Sequence, residues 1–95
     1  MDAVPKSMQS LPGADLIARG LADLGARRET VEALLVSIGA PRLQPLGYEL
    51  TAPFESPEHR LYLRLAREKG NAAHSAYNAL IRRLVSFERA AQCAT

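Results

Sequence analysis

The sequence predicts a small all-α domain, and three observations support this fold class. Ala, Leu, Arg and Glu, which favour helices, dominate the 95-residue chain. The β-branched and aromatic residues that favour strands are sparse. Apolar residues recur with helical spacing in four segments, which glycine, proline or asparagine separates. We therefore expect a small four-helix bundle or two stacked helical hairpins, formed by residues 13–92 as a single domain.

Two amphipathic segments form the first half of this predicted domain. The first predicted helix covers residues 14–24 and ends at Gly25, since glycine adopts the left-handed conformation common at helix ends. The second covers residues 28–38 and ends at Gly39 and Pro41, because proline disrupts a helix interior. The short junction between the two predicts an antiparallel helical hairpin.

The third and fourth predicted helices cover residues 57–69 and 72–91. Ser56 before a proline is typical of a helix N-cap. Apolar side chains cover more than half of the third helix, so we expect it to be the most buried. The fourth helix carries one continuous apolar stripe, formed by Ala73, Tyr77, Leu80, Leu84, Phe87 and Ala91. We expect Leu80 and Leu84 to face inward.

Two further segments complete the predicted organisation. Residues 39–56 are rich in proline and glycine, yet they are too apolar for a free linker, so we expect an ordered connecting segment. Its apolar side chains are Leu43, Leu46, Tyr48, Leu50 and Phe54. Residues 1–12 predict a disordered N-terminal tail without the pattern of a signal peptide.

The cysteine content and the hydropathy pattern give expectations about location. Cys93 is the only cysteine, which excludes an intramolecular disulfide and is typical of a reducing compartment. No apolar run approaches the length that crosses a bilayer. We therefore expect a cytoplasmic protein without a membrane partner.

Basic residues concentrate in the second half of the chain. The net charge is only +2, but residues 51–95 hold seven basic and four acidic side chains, against five and six in residues 1–50. An anionic partner is therefore expected to prefer the second half. The candidate nucleic-acid contacts are Arg60, Arg64, Arg67, Arg82 and Arg89, with Arg83 beside them. The alternative is that these arginines only solubilise helix surfaces.

Residues 65–84, LAREKGNAAHSAYNALIRRL, resemble a helix-turn-helix DNA-binding segment. The resemblance rests on Leu65-Ala66, the turn residue Gly70 and the run Tyr77-Asn78-Ala79-Leu80. It implies base contacts by Ala72, Ala73, His74, Tyr77 and Asn78, and backbone contacts by Arg82 and Arg83. The motif also requires Ala76 and Ala79 to face inward. We expect the apolar stripe to prevail instead, because exposing a large apolar side chain costs about 1.5–3 kcal/mol.

Arg67 and His74 are separated by six residues, a spacing similar to the Arg-x(4–6)-His signature of HEPN-type helical ribonucleases. This resemblance implies that His74 transfers protons and that Arg67 stabilises phosphate charge. The residue after the arginine is Glu68, whose carboxylate repels RNA. A ribonuclease, or an inactive relative of one, is therefore kept as an alternative.

Metal and cofactor chemistry is not expected from this sequence. His59, His74 and Cys93 are widely spaced and form no known metal-binding motif. The chain also has no phosphate-binding glycine loop and no nucleophile elbow. We therefore expect neither a metal nor a cofactor, and no enzyme of ordinary design.

The predicted helices have more apolar surface than a domain of this size can bury, and this favours association with another chain. Leu63, Ile81 and Val85 lie at the edges of apolar stripes, and such edges often pair with another chain in small bundles. We expect a small accessory or regulatory protein that acts through protein–protein contacts, most simply as a homodimer. A DNA- or RNA-binding regulator and the ribonuclease are the alternatives.

Overall fold

A computed structural model describes residues 11–94, and this part of the chain is helical and contains no strand. The α-helices are α1 (Ala14–Gly25), α2 (Val31–Leu43), α3 (Pro57–Lys69) and α4 (Ala73–Ala94), and a short 3₁₀ helix (Gly70–Ala72) connects α3 to α4. The predicted all-α class is therefore confirmed. Most of the predicted N-terminal tail lies outside the described residues. Leu11, the first described residue, packs against the core.

The α1–α2 hairpin is held by a polar network at its turn. Asp23, near the end of α1, is buried and accepts hydrogen bonds from the Arg28 guanidinium and from the Thr30 hydroxyl. The Thr30 hydroxyl also caps α2, since it accepts the backbone N–H of Ala33 at 3.1 Å. This cap explains why α2 begins at Val31 rather than at residue 28 as predicted.

Helix α2 is the central helix of the molecule. It contacts α1, α3 and α4, and its residues 33–37 are all buried. The expectation that α3 would be the most buried helix is wrong, because only Leu61 and Leu65 of α3 are buried. Close packing of α1 on α2 depends on Gly20, where an added Cβ would lie 2.6 Å from Cγ1 of Val36.

Helix α2 also continues through the residues that were predicted to end it. Gly39 and Pro41 lie inside the helix, which ends only at Leu43. A proline at position 41 has no N–H to donate to the Ser37 carbonyl. The Ser37 side chain nevertheless bonds within the helix, because its hydroxyl donates to the Ala33 carbonyl at 2.8 Å.

The first residues of the predicted connecting segment, 39–43, belong to α2, and the rest of it makes hydrogen bonds with neighbouring parts of the chain. The backbone N–H of Phe54 donates to the Ser37 hydroxyl at 3.1 Å, and the Gln44 side chain donates to the Leu50 carbonyl at 3.1 Å. Arg27, from the α1–α2 turn, donates to the Ala52 carbonyl at 2.7 Å and lies 4.6 Å from the centre of the Phe54 ring. These contacts fasten the segment across the first hairpin.

Helix α3 spans Pro57–Lys69 and α4 spans Ala73–Ala94, where residues 57–69 and 72–91 were predicted. Ser56 occupies the N-cap position of α3, but it has a left-handed backbone conformation and its hydroxyl makes no capping hydrogen bond. In α4, Leu84 is buried and Leu80 is half-buried, while Arg82 is exposed. The rotation predicted from the apolar stripe is therefore confirmed.

Candidate functional site

A concave surface lies between the end of α2 and the last turns of α4. Two adjoining depressions of about 310 and 340 Å³ meet there and share Arg42, Glu88 and Gln92. We call this surface the Glu88 groove. Its lining consists of Pro41, Arg42, Pro45, Leu46, Val85, Glu88, Arg89 and Gln92. A buried carboxylate therefore lies in a groove that is lined by four apolar residues and by two arginines and a glutamine.

Glu88 lies in this groove because of its place on α4 and because of a glycine on α2. It follows Leu84 by four residues, so the helix turns it toward the same interior. A Cβ added at Gly39 would lie 2.9 Å from Oε2 of Glu88 and 2.8 Å from Cδ1 of Leu84. The glycine thus leaves the space that the carboxylate occupies.

The Glu88 carboxylate is poorly compensated for its burial. The residue is 5% exposed, and its Oε2 has no hydrogen-bond partner. Burial raises the pKa of Glu88, and the charge of Arg42 opposes this shift. Within residues 11–94, no cationic side chain forms an ion pair with Glu88. One oxygen of the Glu88 carboxylate therefore has no donor, and it lies against Gly39 at the base of the groove.

Sequence reasoning did not single out Glu88, although the position carried a signal. Glu88 falls beside the apolar stripe of α4, on the side that also holds Ile81 and Val85. A buried acidic residue normally pairs with a basic side chain, and one that does not is rare. Without the position of α2, the sequence offered no means to decide between these two cases.

The arginines predicted to contact nucleic acid are distributed over different surfaces. Arg60 pairs with Glu29 at 3.0 Å, and Arg64 with Glu68 at 3.5 Å, so carboxylates already neutralise part of α3. Arg67 is exposed. Arg82 lines a separate depression of about 480 Å³ together with Pro12, Gly13, Ala79, Arg83 and Ser86. Arg89 belongs to the Glu88 groove.

Arg67 and His74, the residues of the ribonuclease resemblance, are both exposed. His74 hydrogen-bonds through Nε2 to the side chain of Asn78, at 3.2 Å on the same helix. Neither residue lines the Glu88 groove or the depression around Arg82.

The residues of the helix-turn-helix resemblance are oriented by the apolar stripe of α4. Ala73, which the resemblance places near base edges, is 2% exposed. Tyr77 is half-buried and packs against Tyr62, with ring centres 5.8 Å apart. Ala79, which the motif would turn inward, is exposed. The DNA-binding orientation of this segment is therefore not the one that the fold adopts.

The residues predicted for self-association differ in exposure. Leu63 is 47% exposed and its neighbour Tyr62 is 39% exposed, and these are the large apolar side chains that the described chain presents to solvent. Ile81 and Val85 are half-buried. Val85 lines the Glu88 groove, so one of the three predicted residues lies beside the buried carboxylate.

Within residues 11–94, no group of three possible metal ligands comes together. No helix in this range has both the length and the apolar character that crossing a bilayer requires. Comparisons of the chain with known protein families, with curated proteins and with solved structures find no match.

Proposed function

We propose that this protein is a small cytoplasmic interaction module, accessory or regulatory in role, that acts through protein contacts and pairs with a second copy of itself. The observation that carries the proposal is the adjacent exposure of Tyr62 and Leu63 on α3. The architecture that suits this role is two stacked hairpins, α1–α2 and α3–α4, forming a four-helix bundle.

The Tyr62–Leu63 surface has the composition of a protein interface. Tyr62 packs against Tyr77, which restrains its ring before any partner arrives. Arg60 and Arg67 lie three residues before and four residues after Leu63, on the same side of α3. Tyrosine and arginine are enriched where interfaces gain most of their binding energy. Covering such a surface removes apolar area from water, which favours association by about 25 cal/mol per Å² before the entropic cost of association is subtracted.

The charge pattern of α3 favours a second copy as the partner. Glu58 lies in the first turn of this helix, and Arg67 and Lys69 lie in its last turn. In a two-fold symmetric pair whose axis is perpendicular to α3, the two α3 helices run antiparallel, so the acidic start of one meets the basic end of the other. The contact is thus self-complementary around Leu63.

Sedimentation equilibrium at micromolar concentrations tests this proposal. We expect a dimer for the wild type and a Kd at least about tenfold weaker for Leu63→Asp, because a charge then replaces the central apolar contact. Ala79→Asp adds the same charge at an exposed position of α4 and is the matched control. A monomeric wild type, or equal dimerisation of Leu63→Asp, contradicts the proposal.

One observation favours nucleic-acid binding as the second candidate function. Arg82, Arg83 and Ser86 border a depression with Gly13, which is the N-cap of α1 and supplies no side-chain cap. Phosphate groups bind readily at such helix starts. Binding of single-stranded RNA that weakens steeply with salt, and that Arg82→Ala weakens more than Arg60→Ala, supports this candidate. Absent binding at low salt excludes it.

A further inference from the structure

The Glu88 groove shares no residue with the Tyr62–Leu63 surface, so contacts at that surface do not account for the buried carboxylate. Val85 is the one residue predicted for self-association that lines the groove. The chain keeps an acidic residue that is 5% exposed and leaves its Oε2 without a donor. Buried polar groups are nearly always hydrogen-bonded, and those that are not require an explanation. The second buried carboxylate, that of Asp23, is fully supplied with donors by its own chain.

The surroundings of Glu88 indicate what kind of donor is missing. Arg42 and Arg89 line the groove and are exposed, so their guanidinium groups remain open to an anion. Apolar walls lie nearby and suit a hydrocarbon stem; they are formed by Pro41, Pro45, Leu46 and Val85. A bare cation would meet repulsion from the two arginines. A molecule that carries both charges would not.

We propose that the Glu88 groove binds an aliphatic amino acid-like zwitterion, whose ammonium group donates hydrogen bonds to the Glu88 carboxylate. The carboxylate of the same molecule pairs with Arg42 and Arg89, and its methylene stem packs on the apolar walls. At about 310 and 340 Å³, the depressions have the size of small-ligand sites. Because Oε2 lies against Gly39, binding involves a rotation of the Glu88 side chain toward the groove.

The probe for this site is 6-aminohexanoate, with hexanoate and hexylamine as analogues that each lack one charged group. Amide resonances in two-dimensional NMR spectra follow each titration. We expect saturable shifts at Leu46, Val85 and Glu88 with 6-aminohexanoate, and at least about tenfold weaker binding of both analogues. This outcome is expected whether the protein is a monomer or a dimer.

Variants locate the two charge contacts. Glu88→Gln keeps the shape of the side chain. We expect this variant to have no higher affinity for 6-aminohexanoate than for hexanoate. In Arg42→Gln, we expect the affinity for 6-aminohexanoate to fall to the affinity of the wild type for hexylamine. Arg19→Gln removes an exposed arginine of α1 outside the groove and is expected to bind 6-aminohexanoate like the wild type. Circular dichroism verifies that each variant is folded.

The proposal fails if 6-aminohexanoate causes no saturable shifts, if its shifts lie outside the groove, or if Glu88→Gln binds it unchanged. It also fails if hexanoate binds as tightly as 6-aminohexanoate. A peptide that ends in lysine carries the same ammonium and carboxylate. Tighter binding of this peptide identifies a protein C-terminus as the source of the ligand, and weaker binding identifies a free small molecule.

Discussion

The two buried carboxylates of the described chain, those of Asp23 and Glu88, differ in the hydrogen bonds that they accept. Asp23, at the α1–α2 turn, is 8% exposed and accepts hydrogen bonds from the Thr30 hydroxyl at 2.8 Å and from the Arg28 guanidinium at 3.0 and 3.2 Å. Glu88, at the contact of α2 with α4, is 5% exposed and has an Oε2 without any donor. The two side chains are similarly buried, and only their partners differ.

The pKa values of the two groups shift in opposite directions as a result. The Thr30 hydrogen bond is the largest influence on Asp23, and with Arg28 it lowers the pKa of Asp23 despite burial. Burial dominates at Glu88 and raises its pKa. A carboxylate with donors from its own chain is a structural element. A carboxylate oxygen that is buried without a donor, such as Oε2 of Glu88, is a cost to folding. A shifted pKa beside a groove supports a role for Glu88 in binding.

The largest effect on stability is expected at Gly20, where α1 packs closely on α2 in the hairpin that contains Asp23. In Gly20→Ala, the new methyl group would contact the Glu32 carbonyl oxygen and Cγ1 of Val36, and a backbone atom cannot move aside. We expect a loss of about 3 kcal/mol in the free energy of unfolding, measured by urea denaturation. Gly25→Ala meets no atom within 4 Å and is the control. Equal effects of the two changes would contradict this packing.

The next largest effect concerns the Asp23 network itself. Asp23→Ala leaves the Thr30 hydroxyl and the Arg28 guanidinium without their acceptor, and we expect a loss of about 2 kcal/mol at neutral pH. Asp15→Ala removes an exposed carboxylate that lies 3.8 Å from Arg83, so we expect a change within about 0.5 kcal/mol. Thermal and urea unfolding measure both. A loss at Asp23 no larger than at Asp15 would show the network to be dispensable.

The sequence predicted the features that depend on the spacing of apolar residues. It did not predict the role of a residue that makes room for side chains of another helix. The apolar stripe of α4 set the rotation of that helix, because burial of Leu84 and Phe87 outweighs any local preference. Gly39 was expected to end α2, but its role is to admit Leu84 and Glu88 of α4. No local pattern shows that a glycine faces a side chain from another element.

The same reason explains why the candidate site was not predicted. The arginines of α3 were visible as a pattern, but their carboxylate partners were only partly visible. Glu68 lies four residues from Arg64, whereas Glu29, which pairs with Arg60, comes from the first hairpin. The Glu88 groove combines α2, the turn that follows it and α4. A site assembled from distant segments requires the fold before it can be recognised.

The smallest expected effect on stability is that of a substitution at Glu88, and it tests the comparison of the two carboxylates directly. Glu88→Met replaces the unpaired carboxylate by an apolar side chain of similar length, so we expect stability at neutral pH to rise by about 1 kcal/mol. Because burial raises the pKa of Glu88, the folded state takes up a proton at a higher pH than the unfolded chain does. The charged form therefore weakens the wild type above that raised pKa, and the penalty disappears below the ordinary glutamate value of 4.5.

The advantage of Glu88→Met should accordingly shrink as the pH falls from neutral toward 4.5, the ordinary glutamate pKa. The Asp23 contribution behaves in the opposite way, since its lowered pKa keeps it intact until the pH falls below 3.8. Urea unfolding of the wild type and the variant across this range separates the two carboxylates. A pH-independent gain would mean that Glu88→Met acts through packing alone. A loss of stability would mean that Glu88 has a donor within its own chain, and the case for a missing ligand would then fall.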